Sequence, residues 1–115
     1  MESFNHVFGA TKNPYDPERI SGGSSGGEAC LIKLGLVNCA IGSDVAGSLR
    51  IPALCCGISA FKPTIPWISN DQLCTYFYKH DWAKKLPERM GVIKATIGPM
   101  AKTAKELEAM MKVLC

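Results

Sequence analysis

Ser21-Gly22-Gly23-Ser24-Ser25-Gly26-Gly27 is a run of glycine and serine alone, and Gly42-Ser43-Asp44-Val45-Ala46-Gly47-Ser48 is a second turn of small residues. The two turns place Ser24 and Ser48 24 positions apart. A flexible linker has the composition of the first turn, but the residues after it are patterned. Residues 28–35, Glu28-Ala29-Cys30-Leu31-Ile32-Lys33-Leu34-Gly35, read as a short helix ending at glycine, with Glu28 at the positive end of its dipole. Residues 37–41 read as a short buried strand that leads into the second turn. Residues 49–56 read as a short helix interrupted at Pro52, because proline is tolerated only near a helix start.

Outward from this centre the signals weaken. Residues 1–23 read as an irregular lead-in, and Asn13-Pro14-Tyr15-Asp16-Pro17 suits a turn or extended segment. Residues 58–61 suit a strand stopped by Lys62-Pro63. Residues 64–90 hold Trp67, Tyr76, Phe77, Tyr78 and Trp82 among charged residues and read as a surface excursion. Residues 93–97 suit a strand ended by Gly98-Pro99. Thr103-Ala104-Lys105-Glu106 fits a capping box. Leu107, Met110, Met111 and Leu114 then form one apolar helical stripe, expected to pack into the core.

Length and composition set limits. A chain of 115 residues suits one small domain. Hydrophobic residues make up 47% and charged residues 20%, which excludes a disordered charged tail. The longest nearly apolar run, 53–61, contains Gly57 and Ser59 and is far short of a membrane-spanning helix. The first residues lack the basic and apolar regions of a signal peptide. Residues 1–60 carry 4 Lys/Arg and 5 Asp/Glu (net −1), and residues 61–115 carry 9 and 5 (net +4). The excess is spread out, so no nucleic-acid partner is expected. The cysteines, Cys30, Cys39, Cys55, Cys56, Cys74 and Cys115, form no C-x-x-C pair, and His6 and His80 are the only histidines. That excludes the usual zinc spacing and suits reduced, mostly buried thiols in an intracellular protein.

The two turns also permit chemistry. A serine hydroxyl is a weak nucleophile until a neighbouring base takes its proton. The carbonyl it attacks needs N–H donors aimed at the developing negative charge. A glycine-rich turn supplies such donors, because the backbone can approach a ligand closely. No Gly-Lys dipeptide exists for a phosphate-binding loop, and neither turn holds the G-x-G-x-x-G dinucleotide fingerprint. Gly22-Gly23-Ser24-Ser25-Gly26 matches the short G-x-S-x-G elbow, which would need His80 as base. From pattern alone, a purely structural role and an anion-holding α/β module both stay open.

Gly22-Gly23-Ser24-Ser25-Gly26-Gly27-Glu28, followed by Gly42-Ser43-Asp44-Val45-Ala46-Gly47-Ser48-Leu49-Arg50-Ile51-Pro52, resembles the amidase signature family, above all its fatty-acid amide hydrolase-like members. The flanks agree: Phe8-Gly9-Ala10-Thr11-Lys12-Asn13-Pro14-Tyr15 before, then Cys56-Gly57-Ile58, Phe61-Lys62-Pro63-Thr64 and Ile97-Gly98-Pro99-Met100-Ala101 after. The likeness covers roughly 1–64 and 91–115. It implies an α/β fold in which 1–115 forms part of an amidase-signature domain, with strands of a central mixed sheet and flanking helices. The signature region would span about 8–64, a divergent excursion 65–90, and a strand and helix 91–115.

The resemblance further implies a Ser–Ser–Lys hydrolase of carboxylic amides, with a small-molecule substrate, a lipid amide foremost, and no metal or organic cofactor. Ser48 would be the nucleophile. Ser24, after a cis peptide at Gly23, would relay the proton between Ser48 and a lysine. The N–H groups of Val45, Ala46, Gly47 and Ser48 would form the oxyanion hole. Ser25 would support the network, and Asp44 and Arg50 would brace the turn. A cytoplasmic location is expected, with peripheral membrane association compatible. The chain departs from the family in three ways. The family's lysine lies well before the first serine turn, where this chain has only Lys12, and Lys33 is expected to be exposed. Ala46 replaces a usual glycine, at a cost on the order of 1 kcal/mol if that position needs positive φ. The parent enzymes are several times longer. The isolated chain is therefore expected to be inactive or nearly so. The alternative reading is a non-catalytic remnant or pseudoenzyme with a binding role or none.

Overall fold

Short apolar runs cut by glycine and proline give short elements. In this computed structural model, which describes residues 1–65, 67–68 and 95–115, they are β1 (Phe4–Asn5), β2 (Gly9–Ala10), α1 (Gly26–Lys33), β3 (Cys39–Asp44), α2 (Arg50–Cys56), β4 (Ser59–Ala60), β5 (Thr96–Ala101) and α3 (Ala104–Leu114). β1 and β2 make a small antiparallel hairpin. The main sheet has the order β3-β5-β4, with both pairings antiparallel. The described residues thus hold an antiparallel portion of the mixed sheet that the sequence led us to expect. β3 and β4 run in the same direction on either side of β5, joined through α2, as in a split βαβ unit. The core is where α1 and α2 meet the sheet: Ala29, Cys30 and Ile32 pack with Leu49, Ala53 and Cys56 onto Met100 of β5.

Several sequence expectations are corrected. α1 begins at Gly26, so the first serine turn runs directly into the helix. β3 starts at Cys39 and continues through Gly42-Ser43-Asp44, residues read as turn. It is not a fully buried strand: its residues alternate, with Cys39, Ile41 and Ser43 on the exposed face. α2 is continuous, because Pro52 is its third residue and its missing N–H falls among those a helix start leaves unpaired.

β5 runs through Gly98-Pro99 instead of ending there, and all six of its positions are buried. Proline is normally confined to sheet edges. Here the Pro99 carbonyl accepts the Phe61 N–H at 3.1 Å, one residue beyond the end of β4. The N and C=O of a strand residue point to the same side, so the missing N–H faces the side where β4 has already ended. Pairing with β3 proceeds undisturbed through Ile41 opposite Pro99. The strand expected at 93–97 thus begins at Thr96, with 93–94 outside the described residues. Most of the expected excursion, with Cys74 and His80, also lies outside them.

The capping box at α3 forms as expected. Thr103 N–H donates to Glu106 Oε2 at 2.8 Å, and Glu106 N–H donates to Thr103 Oγ1 at 3.3 Å. Of the apolar stripe only Leu107 is buried, while Met110, Met111 and Leu114 are half-buried. Among the described cysteines only Cys30 and Cys56 are buried, fewer than expected, and all five are free thiols. Among the described residues no helix is long and apolar enough to cross a membrane. Replacing Thr103 by alanine is expected to lower stability by about 1 kcal/mol, read from the denaturant midpoint, with Thr103→Ser close to wild type.

Candidate active site

A carboxylate builds the second turn. Asp44, the last residue of β3, has a fully buried side chain. Its Oδ1 accepts the Gly47 N–H at 2.7 Å and Arg50 Nη2 at 3.0 Å. Its Oδ2 accepts the Leu49 N–H at 3.2 Å and Arg50 Nε at 2.9 Å. The planar guanidinium matches the carboxylate with two parallel bonds. Burial alone would push the Asp44 carboxyl up. The bonds from Arg50, Gly47 and Leu49, with the charge of Arg50, outweigh it and hold the group down at about 2.

Around this carboxylate the chain reverses from strand to helix. Gly47 has φ +121°, a conformation open to glycine and strained for other residues. No other kind of residue among those described has positive φ, so Ala46 carries no such penalty. The Gly47 N–H is committed to Asp44, whereas those of Val45, Ala46 and Ser48 carry no bond to that carboxylate. Ser48, just before α2, is half-buried.

The first turn is stitched to the second. The Ser25 N–H donates to the Ser48 carbonyl at 3.2 Å. The buried Ser25 side chain lies against β3 at Gly42, where an added Cβ would meet Ser25 Oγ at 2.5 Å and Leu49 Cδ2 at 2.7 Å. Glycine at 42 therefore allows the two serine turns to meet. The Gly23–Ser24 peptide is cis. Ser24 is exposed.

Two participants had no signal in the sequence. Ser3 Oγ accepts the Gly26 N–H at 3.0 Å and lies 3.0 Å from the carbonyls of both Gly22 and Ser24, either of which takes its proton. It thus ties the lead-in across the first turn. Met1 Sδ accepts the Ser48 hydroxyl at 3.7 Å. Each is a single residue in an irregular segment, so neither periodicity nor motif could mark it.

Ser24 and Ser48 line one cleft of about 370 Å³, whose walls also include Glu28, Ile41, Val45 and Ile97. Ala46 and Gly47 do not line it. A larger groove of about 510 Å³ lies between Trp67 and the end of α3 and holds neither serine. None of the lysines among the described residues lines the cleft. Lys33 is half-buried, not exposed as expected, with Nζ 4.1 Å from the centre of the Tyr15 ring. The buried thiols are poor rivals as nucleophiles: burial pushes Cys56 up to about 12 and raises Cys30 also. Among the described residues no group of three or more His, Cys, Asp or Glu could hold a metal ion. The arrangement can offer two hydroxyls to one ligand beside a turn rich in backbone donors.

Comparison with known proteins finds similar sequences and similar structures. The family model described as Amidase matches residues 1–115. The A component of glutamyl-tRNA(Gln) amidotransferase from Methanospirillum hungatei is 42% identical over 110 residues, covering 96% of this chain and 22% of the relative. Fatty-acid amide hydrolase 2-A of Danio rerio is 38% identical over 114 residues, covering 99% and 20%. Among solved structures, 6-aminohexanoate cyclic dimer hydrolase superposes with a TM-score of 0.80 at 32% identity, over 98% of this chain and 21% of its own. Fatty acid amide hydrolase gives 0.76 at 31%, over 97% and 18%. The chain spans about a fifth of the length of these relatives.

The Asp44 clamp predicts an acid limb in stability. The carboxyl ordinarily titrates at 3.8 and is lowered to about 2 in the fold. Its contribution is therefore complete above 3.8 and lost as pH falls through about 2. The loss is on the order of 2 kcal/mol. Urea unfolding at pH 7, 4 and 2 should show this decline in wild type, and Asp44→Asn should start lower and lack that component of it.

Proposed function

The chain belongs to the amidase family, and from that premise we propose that it carries the nucleophile, the proton relay and the oxyanion donors of a serine-dependent amide hydrolase. The observation that carries this reading is the single cleft shared by Ser24 and Ser48, with their turns joined by the Ser25 N–H and the Ser48 carbonyl. The substrate is a small carboxylic amide. The apolar wall of Ile41, Val45 and Ile97 suits an aliphatic acyl part, as the similarity to a fatty-acid amide hydrolase also suggests.

In this mechanism Ser48 Oγ attacks the amide carbon while Ser24 takes its proton toward a neutral lysine. Charge develops on the carbonyl oxygen, and the N–H groups of Val45 and Ser48, both on the cleft wall, receive it, joined by that of Ala46 once the turn shifts toward the cleft. The Gly47 N–H joins them only by leaving Asp44. Each well-aimed donor of this kind contributes about 10²–10³ in rate. The proton returns through Ser24 to the nitrogen, the C–N bond breaks, and the amine departs. Water then hydrolyses the acyl ester on Ser48, releasing the acid and restoring the hydroxyl. Ser25, Asp44 and Arg50 position these groups without touching the substrate. The lysine is assigned, as the family resemblance implies, to a segment ahead of the first serine turn, and among the described residues no lysine lines the cleft. These residues alone should then hold a formed but unactivated nucleophile.

A fluorophosphonate probe tests the assignment. The 115-residue chain should label slowly, on Ser48, and Ser48→Ala should abolish the modification. In a protein that includes the family's lysine segment, labelling and amide hydrolysis should be fast, with Ser24→Ala slowing them about 10²–10⁴-fold. Rapid labelling of the 115-residue chain would overturn the assignment of the base. Absence of labelling in the longer protein would overturn the hydrolase reading and favour a binding role.

A further inference from the structure

We propose that the cleft selects amides that also carry an ammonium group, with Glu28 as the residue that recognises it. The inference rests on the amide-hydrolase reading and adds a substrate class to it. Ser24, Ser25, Ser43 and Ser48 give the described cleft wall its neutral hydroxyls, and Ile41, Val45, Ala95 and Ile97 its apolar surface. Glu28 is the one charged side chain among the described residues that line it.

The other acidic group near the second turn is already neutralised. Asp44 is fully buried and clamped by Arg50, so it offers no free charge to a ligand. Glu28 is half-buried, and none of the ion pairs or side-chain hydrogen bonds among the described residues involves it. Its place in the first turn of α1 suits the helix dipole, which stabilises a carboxylate there without using up its oxygens. A half-desolvated carboxylate on the wall of a pocket attracts a cation more strongly than one in open water.

The apolar wall complements the carboxylate. Ile41 is 46% exposed and Val45 45% exposed, so both present hydrocarbon to a ligand instead of to the core. A ligand that matches the whole cleft therefore has an amide at the serines, a short aliphatic stem against Ile41, Val45 and Ile97, and a cation at Glu28. The cation can sit on either side of the amide bond, so probes for both arrangements are needed.

The test is binding to the 15N-labelled 115-residue chain, followed through the backbone resonances of Ser24, Ser25 and Ser48, so that no turnover is required. One pair of probes is 5-aminopentanamide against hexanamide, with the cation on the acyl side. The other is N-(4-aminobutyl)acetamide against N-pentylacetamide, with the cation on the amine side. In at least one pair the cationic member should bind about 3- to 5-fold tighter at low salt, a preference that high salt removes. Glu28→Gln should bring the two members of that pair to equal affinity. Equal binding within both pairs in wild type would overturn the proposal and leave the amide-hydrolase reading standing. A preference that survives in Glu28→Gln would do the same. If none of the amides perturbs the serine resonances, both fail.

Discussion

One buried carboxylate organises the site. Asp44 ends β3 with both oxygens occupied, by two backbone N–H groups and by two nitrogens of Arg50. A buried carboxylate must be fully bonded or lose its charge. Here the bonding also dictates shape, because the donors at Gly47 and Leu49 lie three and five residues on. To reach them the chain must fold back over the carboxylate, which leaves Ser48 between the two donors and starts α2 immediately after. The Ser48 carbonyl then receives the Ser25 N–H, so the first turn is placed by the second. Removing Asp44 would therefore disturb both hydroxyls, though it touches neither.

The packing beneath explains why the two turns are so rich in small residues. α1 and α2 approach through Ala29, Cys30, Ala53 and Cys56, and the Cys30 and Cys56 sulfurs lie 3.9 Å apart. Small side chains let the helices come together, and the turns that precede them are brought close as a result. Gly42 extends the same logic to the sheet by admitting Ser25 against β3. Asn13 locks the lead-in to this body, donating from Nδ2 to the carbonyls of Ile20 and Cys55 at 3.1 and 2.8 Å. The site is thus held mostly by backbone groups and short polar side chains, which are less mobile than long ones.

What was legible in the sequence divides along physical lines. Local chemistry was readable: the capping box of α3 and the helix after the first serine turn. Each depends on residues a few positions apart. Strand limits were not, because they depend on pairing. Gly42-Ser43-Asp44 looks like a turn by composition, yet it pairs with Thr96, Ile97 and Gly98 and so extends β3. Pro99 looks like a strand end, yet its neighbour on one side has stopped and its neighbour on the other does not need its N–H. The half-burial of Lys33 was likewise invisible, since it comes from the Tyr15 ring beneath it. Ser3 and Met1 show the same limit at the site itself. Their roles arise from contacts 19 to 47 residues away in the chain.

The division of labour within the site follows from this architecture. The turns that carry Ser24 and Ser48 are held by bonds internal to residues 1–60, and none of those bonds runs through a lysine. Geometry and activation are therefore separable: the pair can be placed without being made reactive. In the proposed mechanism, a base brought in by other chain would meet two serine hydroxyls that already line one cleft. That economy suits a nucleophile whose ordinary pKa keeps it inert until the base arrives. It also means that the 115 residues can keep the family's fold and cleft whether or not they turn over an amide. In the proposed mechanism, what turns this preformed cleft into an enzyme is the rate at which Ser48 gives up its proton.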